Sequence, residues 1–200
     1  MRSSWIMAEA IWIVIAFLCG SLPLSVWLGR LALGEEITEY GDNNPGAANV
    51  WHAGGPALGL LAVLLDFLKG AIPVGLANFV FGVEGVALAA VAIAPIAGHA
   101  FSPFLRFHGG KALAVTFGIW TGLTLWIVPT ILGIFFGIYL TLIKPAGWAV
   151  MMGVFSLLVA LLFIGNPLWL GVWAGMALIL GWKHRTDLAQ KPELLSRKQQ

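Results

Sequence analysis

The chain has 200 residues, 60% hydrophobic and 10% charged, with a mean hydropathy of +0.91 and a formal net charge of +2. That is far more apolar surface than a water-soluble core of this length can hide, so the chain reads as an integral membrane protein. The small charge and the lack of a basic stripe exclude nucleic acid as a partner, and the single Cys19 excludes an internal disulfide framework.

The first apolar run extends from Ile11 to Leu33. No small-residue cleavage site follows Cys19, so the run predicts an uncleaved membrane span rather than a removed leader. Gly20, Ser21 and Pro23 interrupt it. A broken helix persists in a membrane only where neighbouring protein or a cavity satisfies the freed backbone groups.

Residues 34–54, GEEITEYGDNNPGAANVWHAG, form the first polar loop. GDNNPG is strong turn chemistry, and Asn43, Asn44, Asn49 and His52 supply hydrogen-bonding groups close to the membrane. A second span, about Pro56 to Phe81, contains Asp66 and Lys69, three residues apart on one helix face. Intramembrane charges are costly, and they pair with one another or mark a pathway. A structural ion pair bracing a site is the favoured reading here, and a solute path the alternative.

A third span, about Val86 to Ala100, leads into GHAFSPFLRFHGGKALAVTFG at 98–118. Gly109 and Gly110 leave room for a ligand to approach the main chain, Lys111 adds a cation, and a helix is expected from Ala112. Glycines, a lysine and a helix N-terminus in that order suit a phosphate. A plain turn followed by an anchoring lysine is the alternative. The fourth span runs to Val128, where Pro129 is expected to break it, and the fifth to Ile143. After Lys144-Pro145 come a sixth, about Trp148 to Ile164, and a seventh, about Leu168 to Trp182. Trp5, Trp120, Trp148, Trp169 and Trp182 lie near the ends of apolar runs and fit interfacial belts, whereas Trp173 reads as packing.

The expected fold is therefore an all-α polytopic membrane protein of about seven transmembrane helices. It forms one domain over 1–200 with a short tail from about 183. Arg30, Arg106, Lys111, Lys144, Lys183, Arg185, Lys191, Arg197 and Lys198 then share one side and Arg2 lies opposite, which puts the N-terminus outside and the C-terminus in the cytoplasm. Both Gly- and Asn-rich loops and the KHRTDL stretch meet on that cytoplasmic face. The four histidines show neither i, i+4 nor HExxH spacing, so no metal is implied. GGK lacks the Walker A context and there is no G-x-S-x-G elbow, so no cofactor is expected.

Five stretches carry a resemblance. Gly20-Ser21-Leu22-Pro23 matches a GS-x-P segment, GDNNPGAAN (Gly41 to Asn49) a G-S-G-N-P-G-A-T-N loop, and Asp66, Lys69 and Gly70 a D-x-x-K-G. Gly98 to Lys111 matches a stretch that opens G-H and ends F-x-x-F-x-G-G-K-G, and His184-Arg185 an H-R-x-N. Over nearly its whole length the chain resembles the bacterial acyl-phosphate:glycerol-3-phosphate acyltransferases. It departs from their pattern at Asp42 (Ser in the family), Asn43 (Gly), Ala48 (Thr), His52 (Arg), Ala112 (Gly), Val115 (Thr) and Asp187 (Asn).

The resemblance implies transfer of an acyl group from acyl phosphate to the sn-1 hydroxyl of glycerol 3-phosphate, giving lysophosphatidic acid for phospholipid synthesis at the cytoplasmic face of the bacterial plasma membrane. The mixed anhydride is already activated, so no protein nucleophile is needed. Positioning the two substrates can lower the barrier by about 7 kcal/mol or more, and N–H donors by roughly 3 more. Lys111 with the Gly109 and Gly110 amides is expected to bind phosphate. Gly41, Asp42, Asn44, Gly46, Asn49 and His52 shape or contact the acceptor site together with Arg185 and Asp187. His184 and His99 are candidate acid/base or hydrogen-bonding groups, although a buried structural histidine describes His99 as well. Asp42, His52 and Asp187 also motivate an alternative, a related acyltransferase with a neutral or cationic acceptor. A small permease or lipid-binding protein is the third reading.

Overall fold

The structure, a computed structural model, describes residues 2–195, and side chains over 7–195. Arg197 and Lys198, and the side chains of Arg2 and Trp5, lie outside what is described. The described chain is built from helices: α1 (Arg2–Ser21), α2 (Leu24–Leu33), α3 (Ala47–Gly75), α4 (Gly85–Ala100), α5 (Leu113–Thr124), α6 (Ile127–Leu142), α7 (Ala146–Ile164), α8 (Pro167–Lys183) and the short α9 (Arg185–Leu188). The strand pair β1 (Ile143–Lys144) and β2 (Glu193–Leu194) is antiparallel and pins the tail to the α6–α7 turn.

Among the described residues, four helical stretches are long and apolar enough to cross a membrane: Met7–Leu33, Ala47–Val80, Gly85–Leu105 and Ala146–Ile164. Two more apolar helices, Leu113–Thr124 and Ile127–Leu142, are shorter. At 1.5 Å per residue, α5 spans about 18 Å against a hydrocarbon core of about 30 Å. Large apolar side chains such as Leu31, Val86, Phe163 and Leu178 are exposed around the bundle, as lipid-facing positions require.

The break in the first span falls between Ser21 and Leu24. Its freed carbonyls are satisfied from other elements: Ser102 Oγ donates to the Ser21 carbonyl (2.6 Å) and Lys69 Nζ to the Leu22 carbonyl (2.9 Å). Lys69 also lies 2.9 Å from Asp66 Oδ1, and Ser25 Oγ donates to Asp66 Oδ2 at 2.9 Å. Asp66 and Lys69 are both buried, and they brace the break as an ion pair. Close helix approach is achieved through glycine: a Cβ on Gly98 would collide with the Phe17 carbonyl of α1, and one on Gly118 with the Phe67 carbonyl of α3.

Two expectations are corrected. The helix break after α5 is at Leu125–Trp126, where Leu125 takes a positive φ of 54°, and Thr124 Oγ1 accepts from the Val128 amide. Pro129 instead sits in the first turn of α6, where its missing N–H leaves no intrahelical bond unmade. Trp120 is not at an interface. It is fully buried with its Nε1 donating to Met176 Sδ (3.2 Å), because α5 starts at Leu113 and carries Trp120 two turns inward against α8.

Candidate active site

The first polar loop folds around its own side chains. Asn44 N–H donates to Asp42 Oδ1 (3.2 Å), Asn43 adopts φ 60°, and the buried Asn49 donates from Nδ2 to the Asn44 carbonyl (2.8 Å). Gly41, at φ +55°, abuts Asn49 so closely that a Cβ would strike its Oδ1. Asn49 therefore shapes the loop, while Asp42 and Asn44 project from it.

The second loop packs on His99. A Cβ on Gly109 would collide with the His99 carbonyl and one on Gly110 with the His99 ring, and the Gly110 amide donates to that carbonyl (3.1 Å). The Gly110 amide was expected to face phosphate. It is engaged in the turn instead, because the two glycines let the loop lie flat on the end of α4. Lys183 completes the clip, its Nζ donating to the carbonyls of Gly109 (2.6 Å) and Ala100 (3.1 Å).

Lys111 then projects where the segments meet. Its Nζ lies 3.0 Å from Asp42 Oδ2 and 3.4 Å from Asp187 Oδ2. Asp187 also accepts from the Gly147 amide (3.1 Å) and faces His184 Nδ1 (3.4 Å). Lys111 thus joins the first loop to the C-terminal segment, and Asp187 joins both to the start of α7. Burial pushes the Asp42 carboxyl up, but the Lys111 ammonium and the Asn44 amide outweigh it and hold it below the usual carboxylate range.

Two cavities meet here. An apolar one of about 400 Å³ runs along α3 past Trp51 and Val63 to the first turn of α5, with Asn44, Gly46, Asn49, His52, Asp66, His99 and Lys111 in its wall. A polar one of about 480 Å³ is lined by Phe101, His108, Gly109, Lys183, Arg185 and Asp187 among others. Asp42, Asn44 and Lys111 belong to both. At the first turn of α5, Leu113 and Ala114 line the apolar cavity. Their amides belong to the turn whose N–H groups lack an intrahelical partner.

A family model described as glycerol-3-phosphate acyltransferase matches residues 10–191. The chain belongs to this family. A curated glycerol-3-phosphate acyltransferase 1 of Thermotoga maritima is 37% identical over 191 residues, 88% of this chain and 94% of that one. A Thermus thermophilus glycerol-3-phosphate acyltransferase is 37% identical over 193 residues, 94% of each chain. The crystal structure of PlsY, an integral membrane glycerol 3-phosphate acyltransferase, in its glycerol 3-phosphate form superposes with a TM-score of 0.82 at 27% identity, covering 91% of this chain and 90% of that one.

Against this glycerol-3-phosphate acyltransferase frame, most of the sequence-derived residues converge: Asp42, Asn44, Gly109, Lys111, Arg185 and Asp187 line the polar cavity, and Gly46, Asn49, His52 and His99 the apolar one. His184 lines neither cavity: it is buried behind Asp187, 3.4 Å from its Oδ2, and its Nε2 has no hydrogen-bond partner among the described residues. Lys183 was missed, because a lysine at a helix end reads as a membrane anchor and its two carbonyl partners lie 74 and 83 residues away in the chain.

Burial, then the nearby Lys111 ammonium, push His184 below its ordinary value against the opposing pull of Asp187. The unfolded chain then binds that proton more tightly, so stability is fully present above about pH 6.5 and declines as pH falls through the folded value. Thermal unfolding in detergent is expected to show this acid limb, and His184→Gln to flatten it. Ala112 precedes α5 at φ 60°, a left-handed conformation that glycine adopts without strain. Ala112→Gly should relieve about 1–2 kcal/mol of strain against an unfolded-state cost of about 0.4–1, and so raise the unfolding temperature slightly.

Proposed function

We propose that the protein transfers an acyl group from acyl phosphate to the sn-1 hydroxyl of glycerol 3-phosphate, giving lysophosphatidic acid for phospholipid synthesis. The observation that carries this reading is the shared wall: an apolar cavity of the size an acyl chain needs meets a polar one at Lys111. The acyl chain occupies the first along α3, and the glycerol headgroup the second, beside Arg185. Lys111 and the first-turn amides of α5 face the phosphate and the developing oxyanion. The acceptor oxygen forms the new ester bond, the acyl carbon–phosphate oxygen bond breaks, and phosphate departs with the hydroxyl proton.

The reading places seven spans across the bacterial plasma membrane, with the N-terminus outside and the loops of the site facing the cytoplasm. The clustering of Lys111, Lys183, Arg185 and the α6–α7 turn at one end of the bundle supports that orientation. Asp66 and Lys69, candidates for a solute path, have their polar groups taken up by Ser25, by the Leu22 carbonyl and by each other.

Purified protein given acyl phosphate and labelled glycerol 3-phosphate should form lysophosphatidic acid. No product from any acyl donor would overturn the reading, and product from acyl thioester alone would overturn the donor. Lys183→Met should lower kcat about tenfold by freeing the 109–110 turn, with Lys183→Arg retaining most of it. A loss confined to KM would instead mark Lys183 as a substrate contact.

A further inference from the structure

The two carboxylates on the Lys111 ammonium are held very differently. Asp187 is fixed from outside the pair: it accepts from the Gly147 amide (3.1 Å), faces His184 Nδ1 (3.4 Å), and packs so closely that a Cβ on Gly147 would collide with its side chain. Among the described residues Asp42 is otherwise held only within its own loop, by the Asn44 amide (3.2 Å) and the Asn49 side chain. Its side chain is 48% exposed, against 17% for Asp187. An ion pair that open to water contributes little free energy and is readily exchanged. The pair also stands in the way. Asp42, Asn44 and Lys111 line both cavities, so the Asp42–Lys111 contact (3.0 Å) spans the junction that an acyl phosphate must straddle, chain on one side and phosphate on the other. Phosphate and the Asp42 carboxylate are both anions directed at one ammonium, and side by side they repel. Asp42 is the partner free to give way.

We propose that Asp42 is a displaceable counter-ion: it leaves Lys111 when the phosphate of an acyl phosphate arrives and returns once inorganic phosphate has formed, so that this product is held weakly. Asp187 stays in place and keeps Lys111 aimed at the junction. The proposal rests on the acyl-phosphate reading of the same site and adds that the empty site is closed by an anion of its own. Asp42 opposes substrate phosphate and product phosphate alike. An acyl phosphate offsets that opposition by burying its chain in the apolar cavity, and inorganic phosphate has no chain to bury. The ion pair therefore discriminates between the donor and the phosphate it leaves behind.

Inorganic phosphate is the probe, titrated into the detergent-solubilised protein by calorimetry and used as an inhibitor of acyl transfer. Asp42→Asn keeps the shape of the side chain and an acceptor for the Asn44 amide but removes the charge. It should bind phosphate about tenfold more tightly than the wild type, with competitive inhibition against acyl phosphate strengthened to match. Asp42→Ser should do the same, and serves if the asparagine variant does not fold. Asp187→Asn takes the same charge from the same ammonium yet removes no movable group, so it should tighten binding by less than about threefold. Unchanged or weaker phosphate binding in a folded Asp42 variant would overturn the proposal. Equal tightening by Asp187→Asn would do so too, since phosphate would then respond to local charge alone. Inhibition competitive with glycerol 3-phosphate but not with acyl phosphate would place the displaced phosphate at the acceptor and also overturn it. Absence of acyl transfer would sink the reading of the reaction, while the phosphate affinities still decide the role of Asp42.

Discussion

Lys111→Met is expected to lower kcat/KM for acyl transfer by about 10²–10³-fold, the loss typical of removing one preorganised electrostatic stabiliser. The methionine keeps most of the volume, so the cavities retain their shape while the only cation in their shared wall among the described residues disappears. Two effects combine. The departing phosphate loses its counter-charge, and Asp42 and Asp187 are left facing each other without the ammonium that separates them. Adding Asp187→Asn to Lys111→Met should therefore recover thermal stability but not turnover, since it removes the repulsion without restoring the cation. Recovery of activity in that double variant would mean that Lys111 only neutralises carboxylates. Steady-state rates with acyl phosphate, read beside the unfolding temperature of each variant, separate the outcomes.

Lys69→Met is expected to destabilise the folded protein by about 3–5 kcal/mol, because it strands Asp66 as a buried charge with Ser25 as its remaining close partner. It also withdraws the donor from the Leu22 carbonyl at the break in the first span. Asp66→Leu in the same chain should recover much of the loss by removing the stranded charge. The recovery should fall short by about 1–3 kcal/mol, the cost of the unsatisfied backbone carbonyl and serine hydroxyl. Unfolding followed in detergent micelles would test both steps. Full recovery in the double variant would show that the pair does not brace the break. Because Asp66 also lines the apolar cavity near His99, the single variant should lose acyl transfer along with stability.

Much of the architecture was legible from apolar runs and their punctuation. Helices α4, α7 and α8 begin and end within two residues of the expected spans, and Pro145, Gly165 and Asn166-Pro167 set both ends of α7 and the start of α8 through local backbone chemistry. The second span starts at Pro56 as expected, since Gly55, at φ +77° and ψ −175°, leaves helical geometry there and divides α3 in two; what was not legible is that Ala47 to Gly54, expected as loop, forms a helix of its own ahead of it. Pro129 misled because a proline breaks a helix interior but is welcome in a first turn, and the local sequence does not say which turn it occupies. The polar residues of the site were recognisable by type and motif, but the partner of each was not. His184 is legible as an acid/base or hydrogen-bonding group, but that its partner is Asp187 is not, and the Gly110 amide looks available until the His99 carbonyl is placed against it.

Composition and periodicity by themselves determined that this chain is a helical membrane protein with polar loops at helix ends, because a hydrocarbon solvent leaves a polypeptide few other ways to satisfy its backbone. The order of motifs also pointed to the family. Only the tertiary structure decided that Asp42, Lys111 and Asp187, separated by 69 and 76 residues, share one ammonium, and that Lys69 and Ser102 cap a break in another helix. Such pairings depend on how helices cross at their glycine contacts, a property of the packed bundle rather than of any one segment.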